Sequence, residues 1–139
     1  MSNIQSHSTS NPAQASQWAS LEAISGSQEA MQTMKVEFEK RRKVLVDGLN
    51  SIDGIDCIAP LGAFYAFPNI SAAFGKSCAA GTVTDAVSFC ELLLKEHLVA
   101  AVPGSAFGAE GYIRLSYATS MDNITAALDR IKLFMNSLT

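Results

Sequence analysis

Apolar residues recur along this chain with two different periods, and the switches between them divide it into elements. Residues 12–26, "PAQASQWASLEAISG", follow a helical period, with Asn11 as the expected N-cap, Pro12 in the first turn and Gly26 at the stop. Residues 27–52 place Met31, Met34, Phe38, Leu45 and Leu49 close to one stripe with charges around the rest, which predicts the longest helix. "GIDCIAP" and "GAFYAFPNI" are short apolar runs bounded by Gly and Pro and are expected to form paired strands. "SAAFGKSCAAG" follows as a flexible surface connection. In "TVTDAVSFCELLLKEHL", Thr82 and Asp85 have capping-box spacing, and Val83, Val87, Cys90 and Leu94 run along one side of a helix. "VAAVPGSAFG" predicts a short strand and a tight loop, and "YIRLSYA" a further strand. The last helix carries Met121, Ile124, Leu128, Ile131, Met135 and Leu138 at helical spacing, with Thr119 and Asp122 as its capping box.

The resulting order is helix, helix, strand, strand, helix, strand, strand, helix. It predicts an α+β fold: a small mixed sheet of about four short strands, covered by helices on one face. The opposite face is then either wet or covered by something outside this chain. On the "YIRLSYA" strand, Ile113, Leu115 and Tyr117 share the core face, while Tyr112, Arg114 and Ser116 share the other. Read from the strand alone, Arg114 is either a solvated cation or a guanidinium held to receive a carboxylate or phosphate. Met31, Met34, Phe64, Tyr65 and Phe67 are expected in the core rather than against a ligand.

A length of 139 residues suits a single domain whose core needs no disulfide or metal staple. The net charge of −3 argues against nucleic acid as a partner. The basic run Lys40 to Lys43 is matched at i,i+4 by Glu37 with Arg41 and Glu39 with Lys43, as on a solvated helix face. The start is polar and no apolar run reaches membrane-spanning length, so a soluble cytoplasmic protein is expected. Cys57, Cys78 and Cys90 show no metal or redox spacing, and Asn69 and Asn123, in "NIS" and "NIT", are glycosylation acceptors only in a secreted chain. The glycines of "PGSAFGAEGY" lead into a strand and not a helix N-terminus, which argues against a phosphate loop and for a turn near the sheet edge. His7 and His97 lack acid or metal-ligand partners, no metal site is expected, and no lysine reads as desolvated. One anion-binding candidate remains, without a nucleophile or base.

Four stretches taken in order, "STSNP" leading into "QWASLEA", "EFEKRRKVLVDGLN", "PLGAFYAFPNI" and "VPGSAFGAEGYIRLSYA", resemble the C-terminal part of a class I pyridoxal-phosphate-dependent aminotransferase. The likeness is nearest to the bacterial aspartate aminotransferase subgroup. It implies the C-terminal small domain of a fold-type I transferase at residues 27–139, preceded by an interface segment with a short helix at 1–26. It also implies that Arg114 holds the substrate α-carboxylate, that Gly62, Ala63 and Phe64 wall the substrate pocket, and that Ser8, Thr9, Ser10 and Asn11 lie near a homodimer interface and the partner's active site. The cofactor of such an enzyme is pyridoxal 5'-phosphate, and its substrates are amino acids and 2-oxo acids. The family's Schiff-base lysine and phosphate-binding residues belong to sequence this chain does not contain. It is therefore expected to be cut from a larger enzyme with Met1 as an introduced start, to bind no cofactor alone, and to be inactive by itself. Two other readings stand beside this one: a self-standing amino-acid or carboxylate-binding module, and a dimerising domain in which Arg114 is merely solvated.

Overall fold

The structure is a computed structural model and describes residues 2–139. The chain divides into two units, Met1–Val36 and Glu37–Thr139, with the division inside its longest helix.

The first unit is helical. Helix α1 spans Ser2–Ser8, in a segment whose polar sequence gave no sign of it, and α2 spans Gln14–Ser25. The N-cap of α2 is Ala13, with no side-chain cap, so Asn11 and Pro12 lie just outside the helix they were expected to start. Gln17 Nε2 instead donates to the Pro12 carbonyl at 2.8 Å. Gly26 ends α2 as anticipated, donating its N–H to the Glu22 carbonyl at 2.8 Å. Helix α3, Glu29–Asn50, begins in this unit, where Met31 and Met34 are exposed and not core.

In the second unit the C-terminal half of α3 buries Leu45, Val46 and Leu49. Lys43 pairs with Asp47 at 2.6 Å and not with Glu39, whereas Arg41 does reach Glu37, at 3.7 Å. Helix α4, Ala86–His97, is capped by Asp85 with Ser88, three residues beyond the expected Thr82 box. Its buried side is Ala86, Phe89, Cys90, Leu92 and Leu93, leaving Val87 and Leu94 exposed. Helix α5, Met121–Ser137, starts at Ser120, whose hydroxyl accepts from the Asn123 N–H, one residue beyond the expected Thr119 box. It buries Ile124, Ile131, Phe134 and Met135, as its helical spacing requires. Gly48 on α3 faces Leu128 of α5, and a Cβ there would make the end of the Leu128 side chain shift.

The strands are short and every pair is antiparallel, so the sheet is not mixed. Strands β1 (Tyr65–Ala66), β4 (Val102–Pro103) and β5 (Ile113–Ser116) form one sheet in the order β1-β5-β4. A separate hairpin joins β2 (Ser77–Cys78) to β3 (Gly81–Thr82). The segment expected as a flexible connection is thus partly strand. It is tied at Ser77, which exchanges two backbone bonds with Thr139 at 2.9 and 3.0 Å. "GIDCIAP" is not a strand: only Asp56 bridges to Asn69. The reason lies next door, where the Asn50 side chain bonds both the N–H and the carbonyl of Cys57, at 2.8 and 3.0 Å. A side-chain amide thereby takes the place of a neighbouring strand.

Candidate functional site: a guanidinium on an aromatic face

β5 is the middle strand of its sheet and carries the alternation its sequence predicts. Ile113, Leu115 and Tyr117 are 0%, 6% and 2% exposed, while Arg114 is half-buried on the opposite face. Its register is fixed from both sides: Tyr65 stands opposite Ser116 on β1, and Val102 opposite Arg114 on β4. Residues directly opposite in an antiparallel pair project to the same face, so Tyr65 shares the face of Ser116 and Arg114.

The guanidinium carbon of Arg114 lies 4.4 Å from the centroid of the Tyr65 ring and 4.8 Å from that of Phe107. Phe107 ends the short 3₁₀ turn Gly104–Phe107 that follows β4. Behind these rings Phe67 stacks on Tyr112, with centroids 5.3 Å apart and planes at 5°, and meets Phe107 edge-on at 6.1 Å. The sheet face opposite Ile113, Leu115 and Tyr117 is therefore lined by aromatic rings around one cation. Tyr65 and Phe67, expected in the core, are half-buried on this face instead. Among the described residues, no carboxylate pairs with Arg114, and no hydrogen bond occupies its donors. A guanidinium packed over rings keeps its in-plane N–H donors for an acceptor that is itself planar, and a carboxylate fits that fork.

The "GAF" segment enters this face at its edge. Gly62 is exposed, with open space where a Cβ would point, so crowding does not demand a glycine there. Ala63 adopts a left-handed backbone with φ of 57°. Phe64 is 41% exposed, and its ring lies 4.5 Å from that of Tyr65, one ring removed from Arg114. The structure thus brings Phe64 to the candidate site through Tyr65. Neither Tyr65 nor Phe107 was singled out from sequence as a partner of Arg114. The period-two spacing of Tyr65 and Phe67 held part of that signal, but the cross-strand register was needed to use it.

Ser8, Thr9, Ser10 and Asn11 belong to the first unit, at and beyond the end of α1. The Thr9 and Ser10 N–H groups both donate to the Gln5 carbonyl at 3.0 Å, and Ser10 is left-handed at φ of 54°. Ser10 and Asn11, with Ser2, Gln5 and Ser6, line an open polar hollow of about 400 Å³. A larger groove, about 450 Å³, lies in the second unit between Leu98, Leu115, Asn123, Ile124 and Arg130, and Arg114 is not part of its lining.

Other chemistry is sparse. Burial pushes the Cys57 thiol up and the Cys90 thiol up to about 11, which keeps both protonated and unreactive at neutral pH. All six lysines are exposed, so none is a desolvated amine. Among the described residues no group of His, Cys, Asp and Glu is placed to hold a metal ion, and no helix is long and apolar enough to cross a membrane. What this arrangement can do is grip an anion.

Comparison with known proteins agrees with that architecture. The aspartate/prephenate aminotransferase of Nitrosomonas europaea is 47% identical over 133 residues, covering 94% of this chain and 34% of that protein. The aspartate aminotransferase of Geobacillus stearothermophilus is 46% identical over 138 residues, covering 99% of this chain and 34% of its own length. The crystal structure of the aspartate aminotransferase from Rhizobium meliloti superposes with a TM-score of 0.91 at 41% identity, over 99% of this chain and 34% of that one. The chain thus spans about a third of the length of the relatives it matches. The family pattern described as "Aminotransferase class I and II" matches residues 1–131, and this chain belongs to that family.

Proposed function

We propose that this chain is the carboxylate-gripping part of an amino-acid:2-oxo-acid aminotransferase of the aspartate aminotransferase type, with Arg114 holding the substrate α-carboxylate. The observation that carries the reading is the half-buried guanidinium over Tyr65 and Phe107 with no acid partner of its own. Packing against two rings restricts the side chain before substrate arrives, so less rotamer freedom is lost on binding than for a free surface arginine. Two parallel N–H···O bonds then set the orientation of the amino acid as well as its position. Phe64, at the edge of the ring cluster, and the exposed Gly62 and Ala63 are placed in this reading as one wall of the substrate pocket.

Pyridoxal phosphate, which the family implies, supplies an electron sink for the amino acid's Cα substituents when bound. That cofactor requires an amine to anchor it, and this chain offers only exposed lysines. The residues here do not by themselves fit it. In this reading the cofactor's cradle comes from the part of the enzyme that the relatives have and this chain does not span. Residues 27–139 then act as the small domain, and 1–26, with Ser8 to Asn11, as the segment that meets a second subunit of a cytoplasmic homodimer.

The test is Arg114→Leu in the full-length enzyme carrying this sequence. A loss of about 3 kcal/mol of transition-state stabilisation, a hundredfold or more in kcat/KM, is expected for removing a desolvated partner of a charge-assisted pair. A change within about 0.5 kcal/mol would show that Arg114 is only a solvated cation.

A further inference from the structure

Ala63 is held in a conformation that residues bearing a Cβ avoid, and its own packing does not explain why. It is exposed, and its φ of 57° lies in the left-handed region. Strain of this kind persists only where the surroundings over-determine the backbone. Here the determining residue is Tyr117, which directly follows β5. Its hydroxyl donates to the Ala63 carbonyl at 3.0 Å, and its N–H donates to the Phe64 carbonyl at 2.9 Å. The Tyr117 ring is itself 2% exposed and lies 6.2 Å from Phe38 on α3, whose ring is 6.4 Å from Phe64. One buried residue therefore ties two consecutive carbonyls of the "GAF" segment to the strand that carries Arg114, that of Ala63 through its hydroxyl and that of Phe64 through its backbone N–H.

We propose that the Tyr117 hydroxyl is a positioning group for the carboxylate site: it locks the Ala63 turn, which sets where Phe64 and Tyr65 stand and so where the ring under Arg114 lies. The functional half of this inference rests on the role given to Arg114 above. The path is short and continuous, from Tyr117 to Ala63 and Phe64, on to Tyr65, and from its ring to the guanidinium 4.4 Å away. Tyr117 touches no substrate in this scheme. It acts by removing alternatives that the loop would otherwise sample.

The experiment is Tyr117→Phe, which removes one oxygen and keeps the ring. In this chain, hydrogen exchange at the amides of residues 62–66 should quicken about tenfold while amides in the middle of α5 are unchanged, because the loss is local. In the full-length enzyme, KM for the amino acid should rise about fivefold or more with kcat within about twofold, since grip and not chemistry is disturbed. Ala63→Gly is the second variant, because glycine occupies the left-handed turn without a lock. Combined with Tyr117→Phe, it should bring KM at least halfway back. Unchanged exchange at 62–66, an unchanged KM, or no recovery in the double variant each overturns the proposal. Arg114→Lys separates the two layers: if it leaves KM unaltered, the carboxylate reading has failed, and exchange at 62–66 still decides whether the lock exists.

Discussion

Helices α1 and α2 and the second half of α3 are all regular, yet they stand on different foundations. Neither α1 nor α2 has a buried residue; Trp18 and Ile24 are 63% and 83% exposed. What fixes their ends is local, such as Gln17 bonding back to Pro12 and Gln28 Nε2 donating to the Ala23 carbonyl at 2.9 Å. Helices of this length are marginal in water on local bonds alone. The buried core begins at Leu45 and continues through α4, β5 and α5 to Leu138. Helical periodicity and stabilising burial are therefore separate properties, and the Met31–Met34 stripe had the first without the second.

Three substitutions grade the contrast. Phe134 is fully buried in α5, with its ring 5.1 Å from Phe89 and nearly perpendicular to it. Phe134→Ala should lower the stability of this chain to urea by about 3–5 kcal/mol, through lost transfer energy and the cavity left behind. A loss under about 1 kcal/mol would mean that the second unit has no tightly packed core.

Asp85→Ala should act more weakly and with a pH signature. The Asp85 carboxylate accepts from the Ser88 N–H at 2.8 Å, and those bonds hold its pKa below the usual carboxylate value. A depressed pKa means that the fold favours the ionised form. Its contribution is then complete above the unfolded carboxylate's pKa, about 3.9, and fades as pH falls through the lower folded value. Thermal unfolding of the two proteins should differ by a constant amount near neutrality and converge in acid; a difference that widened in acid would contradict the cap.

The smallest change is expected for Trp18→Ala. With the indole 63% exposed, the urea midpoint of this chain should shift by no more than about 0.5 kcal/mol in free-energy terms. A shift several times larger would erase the distinction between the two regions.

Much of the second region was legible because burial and local pattern agree there. The alternation on β5 and the stripe of α5 follow directly from residue types at the right period, and Arg114 stands out as the one charge on that strand. The cap positions slipped by one and three residues because serines and threonines cluster at both helix starts, and several hydroxyls compete for the same N–H groups. "GIDCIAP" misled because its partner is the Asn50 amide, a contact that no strand propensity encodes. The rings of Tyr65 and Phe107 reach Arg114 from segments 49 and 7 residues away in sequence, and only the β1-β5-β4 register unites them. The α1 helix had no apolar stripe to reveal it.

The alternation on β5 has a practical corollary. Sliding this strand by one residue would turn Leu115 to the aromatic face and drive the Arg114 guanidinium into the buried core that Ile113 and Leu115 now occupy, so the two faces of the strand veto the same mistake for opposite reasons. A molecule that captures a carboxylate through Arg114 has by that act certified its own strand pairing. If Arg114 has the role proposed above, titration of the full-length enzyme with a ligand of that class would count correctly assembled molecules in a preparation, and the binding-competent fraction would serve as a direct gauge of folding fidelity.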